Sequence, residues 1–185
     1  MRLGVLVSGR GSNLEAILDA GLDVALVISN RPGVLALQVA AAHRVPARVM
    51  RRADYGDAAA RDAAIGAALV DARVQLAVLA GWDQLLTAAY FEAFDGRTIN
   101  IHPSLLPAHG GEGMVGIEVH RSVLRAGDPE TGVTIHEVTS VLDAGPILAR
   151  ATVPVRPGDD DEALAARVLS EEHRLLVSTI RDLAG

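Results

Sequence analysis

The feature that most constrains this chain is an alternation. Short apolar runs recur, and each is followed by a longer segment whose apolar residues fall at helical spacing. The first run, LGVLVS at residues 3–8, is bounded by glycine and suits a strand buried on both faces. Residues 11–21 (GSNLEAILDAG) then predict a helix, with Ser12 and Asn13 as capping residues and Gly21 as its stop. Further strands are expected at 24–30, 47–50, 74–81 and 97–102, and helices at 33–44, 56–72 and 84–94. Strands that alternate with helices imply a parallel sheet. After residue 102 the pattern changes. A helix is expected at 116–127, and residues 131–140 and 145–155 read as a hairpin extending the sheet antiparallel. Residues 159–185 form a last amphipathic helix, whose N-terminal dipole is met by the acidic run from Asp159 to Glu162. The expected fold class is α/β: a single Rossmann-like domain over residues 1–185, with a mostly parallel twisted sheet, helices on both faces and an antiparallel C-terminal extension.

Composition excludes several classes of function. The chain is 50% hydrophobic but only 3% aromatic, so Ala, Val and Leu must fill the core. Its net charge is −6 with no basic patch, which argues against nucleic acid as a partner. With no cysteine, disulfides, thiolate metal sites and cysteine nucleophiles are ruled out. The N-terminal apolar run is too short for a signal peptide, and no run approaches the roughly 20 residues of a membrane span. A cytoplasmic location is expected.

Two places carry polar residues suited to chemistry. In SGRGSNLEAI, Gly9 and Gly11 permit a tight strand-to-helix turn, and the amides of Arg10, Gly11, Ser12 and Asn13 can face an anion at the helix start. Leu14 stands where a third dinucleotide glycine would be, and the second strand ends on Ser29-Asn30 with no acidic residue for a ribose. Arg31 leaves a 2′-phosphate open, but a single phosphate monoester fits better, and a plain turn is the ordinary alternative. The second place is INIHPSLLPAHGG at 99–111, where Asn100 and His102 lie two apart and share one face of a strand end. An Asn amide can donate to an oxyanion and a His can move a proton at neutral pH. Neither side chain forms a covalent intermediate, so the pair suits direct acyl transfer to an external nucleophile. Asp143, in SVLDAGPI, is the best carboxylate to control the imidazole; a capping Asp in a turn is its bland reading. His136 could line the same cleft, whereas His109, in a Gly-rich loop, reads as solvated. No His, Asp or Glu grouping has metal-ligand spacing, so no metal is expected.

Together these motifs resemble the phosphoribosylglycinamide formyltransferases. The likeness runs over nearly the whole chain, through SGRGSNL, AGW before LL, NIHPSLLP, TGVTIHEV with LDAGPI, and EEH in the last helix. It implies transfer of the formyl group of 10-formyltetrahydrofolate, as cosubstrate, to the amine of glycinamide ribonucleotide in purine synthesis. It implies Asn100, His102 and Asp143 as the catalytic trio, with a protonated His102 helping Asn100 to hold the oxyanion. The amides of Arg10 to Asn13 match the cradle of the substrate phosphate, and Glu172 the residue that binds the ribose. Leu85, Leu86 and the turn Val138, Thr139, Ser140, Val141, Leu142 and Asp143 match the wall of the folate pocket. Such enzymes work on small molecules, without metal, as monomers or homodimers.

Departures and rivals remain. EGMVGIE at 112–118 replaces a shorter loop of some relatives, and Asp83 and Gln84 differ from them too, leaving the folate glutamate tail without an assigned contact. Arg51, Arg52 and Arg61 read mainly as solvated surface. A formyltetrahydrofolate hydrolase would share the trio, with water in place of the amine. Methionyl-tRNA formyltransferase would need a second, basic domain. A non-catalytic nucleotide-binding module would have no use for a poised proton carrier.

Overall fold

A computed structural model describes residues 1–185. Its seven strands are β1 (Leu3–Val7), β2 (Val24–Ser29), β3 (Ala47–Val49), β4 (Leu76–Leu79), β5 (Arg97–His102), β6 (Glu130–Glu137) and β7 (Ile147–Pro154). Its six α-helices are α1 (Ser12–Asp19), α2 (Leu35–Ala42), α3 (Ala58–Asp71), α4 (Ala88–Ala93), α5 (Ile117–Ala126) and α6 (Asp161–Ala184). They form two compact units, Met1–Ile99 and Asn100–Gly185.

In the first unit β1 pairs with both β2 and β4, and β2 pairs with β3, all parallel. Every residue of β1 and β4 is buried, as their near-continuous apolar runs require. The edge strand β3 is short and exposed, with Arg48 at its centre, a combination that discourages pairing with another chain. Two expectations change here. The helix expected at 84–94 shrinks to α4, because side chains hold residues 84–87: Thr87 donates its amide to Asp62 Oδ2 at 2.8 Å and Gln84 accepts from the Arg61 guanidinium. Arg61 is not surface at all. It is 2% exposed, lies 2.6 Å from fully buried Asp62 and stacks 5.6 Å from the Trp82 ring centroid, so a carboxylate and an aromatic face replace its water.

In the second unit β6 and β7 pair antiparallel, from Glu130 opposite Pro154 to His136 opposite Ile147, confirming the hairpin. The register shifts between Ile135 and His136, and such irregularities re-aim side chains beside functional sites. Helix α6 packs on α5, β6 and β7. Asp160 caps it by accepting from the Ala163 amide at 2.8 Å, and Asp161 and Glu162 occupy its first turn.

Gly66 on α3 allows close approach to α4, since a Cβ there would lie 2.7 Å from the Ala93 Cβ and 3.0 Å from the Tyr90 carbonyl oxygen. At an open helix position Gly→Ala stabilises by roughly 0.5–1 kcal/mol. Here overpacking reverses the sign, and Gly66→Ala is expected to destabilise by about 1–3 kcal/mol in urea unfolding. A stabilised variant would contradict this packing.

Candidate functional site

Strand β5 ends on Asn100-Ile101-His102. Ile101 turns into the core, and Asn100 and His102 share the opposite face. The second unit brings two further polar side chains beside them. His136, 2% exposed, comes from the irregular end of β6. Asp143 comes from the turn after β6, in a left-handed conformation (φ 51°) that a non-glycine residue rarely adopts. Thr139 steadies that turn, its Oγ1 accepting from the Val141 amide at 3.2 Å and donating to the Val141 carbonyl at 3.1 Å.

The hydrogen bonds assign the protons. The Nδ1 of His136 lies 2.9 Å from the Glu137 carbonyl, so it must carry the ring hydrogen. Its Nε2 is then an acceptor, and Asn100 Nδ2 donates to it at 3.1 Å. This fixes which end of the Asn100 amide faces His136, and leaves a second N–H on the same nitrogen. The same logic applies to His102. Its Nε2 lies 2.8 Å from the His109 carbonyl and must donate to it. Its Nδ1 therefore presents a lone pair 3.9 Å from Asp143 Oδ2, too far for a direct hydrogen bond but well within the carboxylate's field. Asp143 Oδ2 also accepts from the Gly111 amide at 2.9 Å, and its Oδ1 lies 3.6 Å from His136 Nε2.

These surroundings set the charges. Burial pushes His102 below the ordinary imidazole value, while the His109 carbonyl and the Asp143 carboxylate oppose that fall. For Asp143, burial alone would raise the carboxyl, yet the group is held below its usual value, with the Gly111 amide donating to its Oδ2. The cluster thus rests as a carboxylate beside a neutral imidazole whose free nitrogen can accept a proton.

The loop after β5 is held by more than its prolines. Ser104 donates to the Ala108 carbonyl at 2.6 Å, Thr134 donates to the Ser104 carbonyl at 2.7 Å, and the Leu106 amide donates to Thr134 Oγ1 at 3.0 Å. His109 is not solvated as expected. Its ring lies 2.8 Å from Ser122 Oγ and 2.7 Å from Asp128 Oδ2, and its side chain is 13% exposed. No periodicity or motif announced those partners, although a His seven residues beyond a candidate base was a visible hint.

In the first unit, the turn after β1 differs slightly from expectation. Gly11 (φ 83°) is itself the cap of α1, so Ser12 and Asn13 lie inside the helix. A Cβ at Gly11 would fall 2.6 Å from the Ala36 Cα, so the turn needs glycine. The amides of Ser12 and Asn13 belong to the first turn of α1, and Arg10 is exposed. Arg31 forms an ion pair with Asp83, which also accepts from Asn30 Nδ2 at 2.7 Å. That engagement removes the support for a 2′-phosphate. Leu85 is exposed and Leu86 buried. In the second unit Val141 and Leu142 are exposed, Val138 is half-buried, and Glu172 on α6 is 9% exposed. No group of three or more His, Asp or Glu residues is arranged to hold a metal ion, and no helix is long and apolar enough to cross a membrane.

Comparison with known proteins decides the family: the model described as formyl transferase matches residues 1–180. The chain belongs to the formyl transferase family. The chain is 35% identical over 186 residues to a phosphoribosylglycinamide formyltransferase of Haemophilus influenzae, covering 97% of this chain and 85% of that protein. It is 42% identical over 180 residues to the trifunctional purine biosynthetic protein adenosine-3 of Drosophila melanogaster, matching 93% of this chain but spanning only 13% of that protein's length. Among solved structures, glycinamide ribonucleotide transformylase 1 from Symbiobacterium toebii superposes with a TM-score of 0.92 at 42% identity, covering 98% of this chain and 86% of that one. The mostly parallel sheet with an antiparallel C-terminal end is thus the fold of solved formyl transferases.

The assigned protons can be checked in the free protein. Proton–nitrogen NMR should find neutral His102 protonated on Nε2, with a titration midpoint below 6.5. Asp143→Asn should lower that midpoint further, because the carboxylate opposes the effect of burial. A midpoint at or above 6.5 would contradict the assignment.

Proposed function

We propose that the chain transfers the formyl group of 10-formyltetrahydrofolate to the amine of glycinamide ribonucleotide, a step of de novo purine synthesis. The observation that carries this reading is the cluster of Asn100, His102, Asp143 and His136, set out for acyl transfer without a covalent intermediate. Family membership supports it, as do relatives whose names carry this activity.

In the proposed mechanism Asn100 aims the second N–H of its amide at the formyl oxygen, with His136 holding the amide in register. The amine attacks the formyl carbon, and charge builds on that oxygen where Asn100 can receive it. His102 takes a proton from the attacking nitrogen onto Nδ1. The imidazolium that results gains the Asp143 carboxylate as its partner and adds positive charge beside the oxyanion. The protonated His102 implied by the family resemblance is on this reading a transient of the reaction, because burial favours the neutral ring at rest. As the carbonyl re-forms, the bond from carbon to the folate nitrogen breaks and that nitrogen takes the proton. Formylglycinamide ribonucleotide and tetrahydrofolate leave.

The remaining assignments are proposals of the same kind. Arg10 and the amides of Gly11, Ser12 and Asn13 take the substrate phosphate, and the Arg10 charge adds to the amide array. Glu172 takes the ribose hydroxyls. Leu85, Leu86 and residues 138–143 are assigned to the folate, as the family resemblance implies. Residues 1–185 act as one catalytic domain, in the cytoplasm, as a monomer or a homodimer.

Loss of a single oxyanion donor costs roughly 10²–10³ in turnover. Asn100→Ala and His102→Ala are each expected to lower kcat by at least about 100-fold, with the circular dichroism of the fold unchanged. Near-normal turnover in both would reject the assignment.

A further inference from the structure

Most of the cluster is explained by what it does to the substrate. His109 is not, yet it is tied down at three points. Its ring is engaged at both nitrogens, 2.8 Å from Ser122 Oγ on α5 and 2.7 Å from Asp128 Oδ2 just beyond that helix. Its backbone is left-handed, with φ at 54°, a conformation that a non-glycine residue keeps only where its surroundings over-determine it. Its carbonyl oxygen receives the Nε2 hydrogen of His102. The main-chain atom that settles the tautomer of the proposed base therefore belongs to a residue whose backbone is held against its own preference by its own side chain.

We propose that His109 is a positioning residue. Clamped by Asp128 and Ser122, its ring holds the main chain so that its carbonyl keeps the hydrogen of His102 on Nε2 and leaves Nδ1 facing Asp143. This rests on the proposed role of His102 in the transfer, but its structural core can be read without turnover. A neutral imidazole has one hydrogen. If the carbonyl moves away, the Asp143 carboxylate becomes the strongest acceptor in reach and draws that hydrogen to Nδ1, blocking the nitrogen the reaction needs. The groups facing His102 are few: the His109 carbonyl and ring from the loop, Asp143 from the turn, His136 from β6 and His120 from α5. Among them only His109 offers an acceptor to Nε2. Loosening it also removes a contact that favours the charged ring, so the His102 midpoint should fall.

The test uses the full chain with His109→Ala, Asp128→Asn and His109→Gly. Asp128 is 40% exposed in its side chain, so Asp128→Asn serves if His109→Ala fails to fold. Nitrogen NMR of His102 is expected to show the Nδ1–H form rising from a minor to a substantial population in His109→Ala and Asp128→Asn, with a lower midpoint. Formyl transfer by both should fall roughly tenfold in kcat, as expected for a misplaced proton carrier, with KM for either substrate within about twofold. His109→Gly accepts the left-handed backbone without strain and should recover part of the loss relative to His109→Ala. An unchanged His102 tautomer with kcat within about twofold in both lesions overturns the proposal, even if the natural protein transfers formyl groups well. A shifted tautomer in a protein with no formyl transfer leaves the clamp standing and overturns the functional reading instead.

Discussion

Everything proposed for this site depends on how a buried imidazole is satisfied. His102 is 5% exposed, so neither ring nitrogen can rely on bulk water. One nitrogen gives its hydrogen to a carbonyl 2.8 Å away, and the other looks across 3.9 Å to a carboxylate. A buried polar group without a partner is costly, whereas a buried base with one bonded and one poised nitrogen is stable at rest and ready to change charge. Asp143 stays ionised, with the Gly111 amide donating to its carboxylate, and that standing charge favours a proton on His102 once the amine releases it. The same economy appears in Asn100, whose amide is oriented by a histidine that is oriented by a main-chain carbonyl. Each reactive group is held by a partner that is itself held.

Two local features of the second unit bring these groups to one place. The end of β5 presents Asn100 and His102 on one face. The register shift at the end of β6 occurs at His136, and the turn that follows delivers Asp143 in a left-handed backbone. Bulged strand ends and left-handed turns are common devices where a side chain must leave the regular pattern of a sheet. The amphipathic helix α6, capped by Asp160, packs behind both strands of the hairpin and gives the cluster a firm backing.

Much of this was legible in the sequence because it follows from periodicity. The strands from β1 to β5 fall within the segments expected for them, although β4 (Leu76–Leu79) is only half as long as the run at 74–81, and the β6–β7 hairpin shows as two apolar segments with a short join. Asn100 and His102 could be paired because spacing of two on a strand means one face. Asp143 stood out as an acid in a Gly-Pro turn. What escaped depends on contacts between residues far apart in the chain. Nothing local in the sequence marks Arg61 as buried, because Asp62 and Trp82 surround it only in the fold, and the helical spacing of residues 84–87 does not show that Asp62 and Arg61 take their polar groups. His109 looked solvated because nothing local reveals that Ser122 and Asp128 fold back to meet it. Ser12 and Asn13 looked like caps because side-chain preference cannot show that Gly11, pressed against Ala36, already occupies the cap position.

The central claim is that this cluster passes a formyl group directly from a folate to an amine. The most direct measurement is to follow the label from 10-formyltetrahydrofolate carrying carbon-14 in its formyl group, with and without glycinamide ribonucleotide. The account predicts that label appears in the amide of the acceptor and that little formate forms when the acceptor is left out. Release of labelled formate at the same rate with or without the acceptor would contradict it.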